Sequence, residues 1–155
     1  RPEIISAVLD HSQGNPFKTL SKRVRVQEQT CKLALARNPR IPYWAMQYLL
    51  RENFIIKQAL AANSGLTHDL VLKLAENPNE RLRLLLAKNP ALTSKAIDLL
   101  LHSGTAVKLQ LIRHPRLQVA QLRFLASSHL PILQAAVLER AKRSFWTDKK
   151  NKKGL

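Results

Sequence analysis

A single cysteine, Cys31, is all the chain's 155 residues contain. One thiol closes no intramolecular disulfide and builds no cysteine-rich metal cluster, and it points to a reducing, cytoplasmic setting. Five histidines (His11, His68, His102, His114 and His129) stand without an i, i+4 pair or a cysteine partner, so neither a metal site nor a cofactor is expected. No apolar run approaches the ~20 residues that a membrane span needs. Glycine occurs 4 times and aromatic residues make up 5% of the chain. Carboxylates are the scarcest charge: none occurs between Leu99 and Leu138.

What is abundant is leucine, alanine and positive charge. A hydrophobic share of 45%, mostly Leu and Ala, is a helical, core-forming composition and not that of a disordered chain. The length suits one domain. The chain opens on Arg1 in place of Met, so a longer parent protein is expected. Lys and Arg number 26 against 10 Asp and Glu, a formal charge of +16. Residues 99–155 alone carry eleven basic and two acidic side chains. An excess of this size resists self-association, so a monomer is expected, and it favours a polyanionic partner, nucleic acid first. General solubility, or attraction to an acidic protein or an anionic membrane, is the plainer alternative.

The chain repeats itself. Residues 32–39 read KLALARNP, 57–65 KQALAANSG, 83–90 RLLLAKNP and 108–115 KLQLIRHP. Asn38, Asn63, Asn89 and His114 mark the same place in each copy, separated by 25, 26 and 25 residues. A fixed period in the 20–50 range is the sequence signature of a stacked array. Counted from the marker, the apolar positions are seven before (Cys31, Ile56, Leu82, Val107), three before (Leu35, Leu60, Leu86, Leu111) and two before (Ala36, Ala61, Ala87, Ile112). Those offsets put them on one helical face, with the small residues admitting a close neighbour and Cys31 read as an inert core thiol. A second apolar series lies three, eight and eleven after the marker: Ile41, Leu66, Leu92, Leu117; Met46, Val71, Ile97, Leu122; and Leu49, Leu74, Leu100, Leu125. The pattern predicts two helices per copy.

The helix boundaries have a physical cause. A residue before proline is pushed out of the α region, so Asn38-Pro39, Asn89-Pro90 and His114-Pro115 end the first helix. Asn63-Ser64-Gly65 ends it through residues that tolerate other backbone conformations. Thr67 and Thr93 are expected as N-caps, and Pro42 suits a first turn. The expected organisation is a truncated repeat helix over 1–14, a basic insertion over 15–29, one array over 30–143 with a degraded last copy, and a frayed basic tail over 144–155.

An apolar-basic pair followed by Leu-Ala, one residue and Asn-Pro, at this period, resembles the variant leucine-rich repeat family. The motif stands as Cys31-Lys32 with Leu35-Ala36-Arg37-Asn38-Pro39, and as Leu82-Arg83 with Leu86-Ala87-Lys88-Asn89-Pro90. Weaker copies are Ile56-Lys57 with Leu60-Ala61-Ala62-Asn63, and Val107-Lys108 with Leu111-Ile112-Arg113-His114-Pro115. The resemblance covers about residues 30–126. It implies an all-α fold: a right-handed α-solenoid of about four 25-residue, two-helix repeats, akin to armadillo and HEAT arrays. Some members carry a cysteine-rich iron–sulfur segment; this chain lacks those cysteines, so that cofactor is not carried over. The family implies no single function.

Candidate site residues follow from the charge. Lys32, Lys57, Arg83 and Lys108, six before each marker, are expected to stack into a cationic row, with Arg37, Lys88 and Arg113 as a second row and Arg116 beside it. Helices packed ~8–10 Å apart would spread four such rungs over about 30 Å of nucleic-acid backbone. The six-before basic residue also belongs to the repeat motif, so a pairing with carboxylate or backbone is its structural alternative. Lys22, Arg23 and Arg25 in the insertion, and Arg123, Arg140, Lys142 and Arg143 near the end, add charge that the repeat does not demand. Tyr43, Trp44 and Trp146 are the candidates for stacking on bases, against packing at the array ends. The expected function is non-enzymatic binding of DNA or RNA through phosphates. A scaffold for an acidic protein is the alternative. A third reading is a HEAT-like DNA glycosylase-type enzyme using Asp69 or Asp98 with Trp44.

Overall fold

The structure, a computed structural model, describes residues 22–153. Among these residues the protein is all-helical, with nine helices and no strand. We number them α1 (Lys22–Arg37), α2 (Tyr43–Leu49), α3 (Phe54–Ala61), α4 (His68–Ala75), α5 (Glu80–Leu86), α6 (Ser94–Leu100), α7 (Thr105–Ile112), α8 (Val119–Ala126) and α9 (Pro131–Lys153). The odd-numbered helices are the first helices of the sequence copies and the even-numbered ones the second. Packing follows that alternation: α1 lies on α3, α3 on α5, α5 on α7 and α7 on α9, while α4 lies on α6.

The short helices start and stop where the local chemistry requires. Asn53 caps α3 through the Ile56 amide, Asn79 caps α5 through the Arg81 and Leu82 amides, and Thr93 caps α6 through the Ala96 amide. Thr67 occupies the N-cap of α4 without a side-chain cap bond, and its buried hydroxyl has no partner. Pro42 sits at the N-cap of α2, one position ahead of the first turn. Helices of seven or eight residues are too short to persist alone in water, so their shared core holds them.

That core is the series the periodicity marks. The residues two before the marker are fully or almost fully buried in all four copies. Ile56, Leu82 and Val107, and likewise Leu60, Leu86 and Leu111, are at most 1% exposed. The first copy departs from expectation: Cys31 is exposed and Leu35 is 48% exposed. These two offsets face the preceding repeat, and α1 is the first described helix of the stack. Cys31 is therefore a surface thiol here and not a core one.

Three expected boundaries also move. Residues 22–29 are not a separate insertion; they are the opening turns of α1, tied down by the Asn53 side chain donating to Gln29 at 2.8 Å. Residues 131–143 keep register, with Leu133 and Val137 buried in the seven-before and three-before places. Residues 144–153, expected as a tail, continue α9 to Lys153. The truncated repeat expected over 1–14 and residues 15–21 lie outside the described residues.

Candidate nucleic-acid interface

The marker residues explain why one first helix seats on the next. The Asn63 Nδ2 donates to the carbonyl oxygens of Ala36 at 2.7 Å and Asn38 at 2.9 Å at the end of the preceding helix, where the Asn38 oxygen also accepts the Ile41 amide at 3.2 Å. Its Oδ1 accepts the Gly65 amide at 2.7 Å, fixing its own turn. Asn89 repeats the arrangement one copy on, donating to Ala61 at 2.7 Å and Asn63 at 2.8 Å and accepting from Ala91 at 2.8 Å. A helix end leaves its last carbonyls without intrahelical partners. One buried amide side chain satisfies two of them and locks the turn that carries it. The backbones come so close that a Cβ at Gly65 would collide with the Pro39 carbonyl.

His114 fills the third rung. Its Nε2 lies 3.1 Å from the Asn89 carbonyl oxygen and its Nδ1 accepts the Arg116 amide at 3.2 Å. A carbonyl only accepts, so the proton is on Nε2 and the ring is neutral. Burial pushes its pKa below the ordinary histidine value; the bond to Asn89 opposes this, and the charges of Arg116 and Arg140 add to it. Arg140 takes the fourth rung, its guanidinium donating to the carbonyls of Ile112, His114 and Leu117. Arg116 likewise donates to the Leu92 carbonyl at 3.3 Å. Both were expected at a polyanion surface; Arg140 is half-buried on these carbonyls, whereas Arg116 stays exposed.

The cations divide by helical position. Six before and one before the marker are five residues apart, about 140° around an α-helix, so the two expected rows do not share a face. In the six-before row only Lys32 is buried. Lys32 is buried and held by Glu28 and by Glu52 at 2.8 Å, with Tyr48 beneath its ammonium at 5.6 Å. Burial pulls the Lys32 pKa down, but the hydrogen bonds its ammonium donates to both carboxylates outweigh it and hold the group above the ordinary lysine range. Lys57, Arg83 and Lys108 are half-buried. The Arg83 Nε is buried without a partner, while its Nη2 reaches the Pro78 carbonyl at 3.4 Å. The row is thus not the open track that stacking alone suggests, and Lys32 is withdrawn from any surface.

The one-before row points outward. Arg37, Lys88 and Arg113 are exposed and form no ion pair. Arg81, eight before Asn89, shares their face because seven residues make two helical turns. It was missed as a candidate, although its spacing from Lys88 was there to be read. Arg37 and Arg81 flank a groove of about 430 Å³ across α1, α3 and α5, floored by Leu33, Ile55, Ala59 and Leu85. Arg113 and Arg143 line a second cleft of about 530 Å³ between α7 and α9, with Glu139 and the Arg140 stem.

Other candidates scatter. Arg25 is exposed on α1 and Arg123 on α8. Lys142 is exposed and lies 3.7 Å from Glu139. Trp44 is 71% exposed at the start of α2. Tyr43 beside it donates to Asp69 at 2.9 Å, which raises its pKa, and accepts from Gln47 at 2.8 Å. Asp98 accepts from Gln121 at 2.7 Å. The side chains of Lys22, Arg23 and Trp146 lie outside those described. Among the described residues no cluster of three or more His, Cys, Asp or Glu could hold a metal ion, and no helix is long and apolar enough to cross a membrane. No protein-family model, curated protein or solved structure matches the chain.

Proposed function

We propose that the chain is a right-handed α-solenoid of the variant leucine-rich repeat kind and binds nucleic acid, without catalysis, through the outward face of its first helices. The observation that carries this reading is the exposed, ion-pair-free state of Arg37, Arg81, Lys88, Arg113 and Arg143 along or at the ends of α1, α5, α7 and α9, with Ala62 leaving a gap at α3. Three carboxylates near that layer already hold lysines, Glu28 and Glu52 with Lys32 and Glu139 with Lys142, while Glu80 and Asp148 are its exposed acidic residues. Asp69, Glu76 and Asp98 sit on or at the end of second helices. Cations repeated on stacked helices suit a phosphate backbone and read little sequence. The test is fluorescence anisotropy of a labelled 20-mer duplex across a salt series. Log K should fall with log salt by about 0.9 per neutralised phosphate. The Arg37→Glu/Lys88→Glu/Arg113→Glu variant should bind at least tenfold more weakly. A flat salt response rejects the reading.

The apolar floor of the α1–α3–α5 groove favours a second reading, a scaffold for an acidic protein whose apolar side chains enter between Arg37 and Arg81. It predicts a partner that is retained after nuclease treatment.

A further inference from the structure

Helix α3 differs from the other first helices on its outward face. The outward positions stand eight, four and one before the marker, which is i, i+4 and i+7, one stripe along a helix. At α1 they are Thr30, Ala34 and Arg37, at α5 Arg81, Leu85 and Lys88, and at α7 Ala106, Gln110 and Arg113. At α3 they are Ile55, Ala59 and Ala62, with no polar side chain among them. Ile55 is 60% exposed. Leu33 from α1 and Leu85 from α5 extend this stripe sideways into the floor of the groove of about 430 Å³. Arg37 stands at one corner and Arg81 at the other, and no carboxylate lines the groove. Among the described residues neither guanidinium has an ion pair. Their repeat positions, one and eight before the marker, set them about 10 Å apart along the helix direction, on opposite sides of α3.

We infer that this groove seats one amphipathic helix of an acidic partner, laid along α3. Apolar side chains at i, i+4 and i+7 would meet Ile55, Ala59 and Ala62, and a carboxylate on each flank would meet Arg37 and Arg81. This rests on the acidic-protein reading above and narrows it to a single helix. The dimensions suit it. α1 and α5 lie two helix spacings apart, ~16–20 Å, and a helix ~10–12 Å across fits between their outward side chains. The small Ala59 and Ala62 admit a close approach. Apolar anchors at this spacing are how an amphipathic helix is held in a groove, and the arginine fork pairs a carboxylate through two bonds. A nucleic-acid backbone would gain from the two arginines but nothing from the isoleucine between them. A second copy of the chain fits poorly, because no described helix carries more carboxylates than basic residues.

The experiment uses the whole chain and a fluorescein-labelled synthetic peptide of about 18 residues, long enough to hold a helix. It carries leucine at i, i+4 and i+7, glutamate beside that stripe and alanine elsewhere. Anisotropy is read for this peptide, for one with serine in place of leucine, and for the labelled duplex and its single strand. The leucine peptide should bind at least tenfold more tightly than the serine peptide and gain helical circular dichroism on binding. Ile55→Gln/Ala62→Gln alters two exposed positions and no charge, and an unchanged thermal midpoint certifies its fold. It should weaken the leucine peptide at least tenfold and leave duplex affinity within twofold. Arg37→Gln/Arg81→Gln should weaken that peptide to a similar extent and flatten its salt response. Leucine and serine peptides bound alike, or a leucine peptide indifferent to Ile55→Gln/Ala62→Gln, overturns the groove site and leaves the acidic-protein reading standing on charge alone. A tenfold loss of duplex or single strand in Ile55→Gln/Ala62→Gln gives the floor to nucleic acid and overturns the site. No binding of either peptide in low salt overturns the acidic-protein reading itself.

Discussion

The Arg140 guanidinium donates to the His114 carbonyl oxygen at 2.7 Å and also reaches the Ile112 carbonyl. Asn63 and Asn89 make the same pair of bonds to the two helices before them, so an arginine does in the last copy what asparagine does in the inner ones. Arg140→Ala leaves the Ile112 carbonyl without this donor and the His114 carbonyl with the Leu117 amide at 3.2 Å alone, and should cost about 2 kcal/mol, roughly 4–8 °C in Tm. Arg140→Lys, which keeps the charge and one donor direction, should recover part of the loss. Differential scanning calorimetry of the three proteins decides it. A midpoint unmoved in Arg140→Ala would show that the rung contributes nothing.

His114 makes stability depend on pH. Its folded pKa lies below the ordinary 6.5, so above that value the site contributes fully. As pH falls below 6.5 the unfolded chain takes up a proton that the folded ring refuses, and stability declines until the folded pKa is passed. A protonated Nδ1 would also face the Arg116 amide, donor against donor. His114→Asn keeps both bond types without a titrating group. Urea midpoints for both proteins between pH 4 and pH 8 should diverge only below about 6.5, with the wild type losing more. Parallel curves would remove His114 from the account.

Asn38 and Asn89 share a sequence role but not a structural one. Asn38 Oδ1 accepts the Arg40 amide at 2.9 Å, while its Nδ2, with no first helix stacked before it among the described residues, donates to no protein group. Asn89→Ala should therefore cost about 2–3 kcal/mol, because the Ala61 and Asn63 carbonyls lose the Asn89 amide, the latter keeping only the Leu66 amide at 3.4 Å, and the Ala91 amide loses its acceptor. Asn38→Ala should cost no more than about 1 kcal/mol. Equal losses in chemical denaturation would mean that the turn bond, and not the reach to the preceding helix, is what matters.

The Lys32 cluster separates structure from binding. Glu52→Gln leaves a buried ammonium with one carboxylate and should destabilise by roughly 2–3 kcal/mol. Lys32→Met removes the charge in place and should fall within about 1 kcal/mol of the wild type. Because Lys32 does not reach the surface, Lys32→Met should leave duplex affinity within twofold. A tenfold loss in that assay would return Lys32 to the interface.

Much of this architecture can be read directly from residue order. The Asn/His spacing, the leucines three before and eleven after it, and the prolines that stop each helix are local properties, and they locate the buried face of nearly every copy. The exceptions mark where neighbours matter. Cys31 and Leu35 carry the right pattern but have no described repeat on one side to cover them. Arg140 sits 26 residues after His114, a legible spacing, yet arginine does not resemble asparagine until both are seen donating to the same pair of carbonyls.

Sequence by itself determined the helices and the excess of positive charge, because helix periodicity and proline act through adjacent residues. Which cations meet solvent was a matter for the tertiary structure. Along one helix Lys32 and Arg37 look alike, five positions apart; packing brings Glu52 to the first, which Glu28 one turn back already meets, and leaves the second outside. Charge is a property of a side chain, whereas availability depends on which helices pack against it.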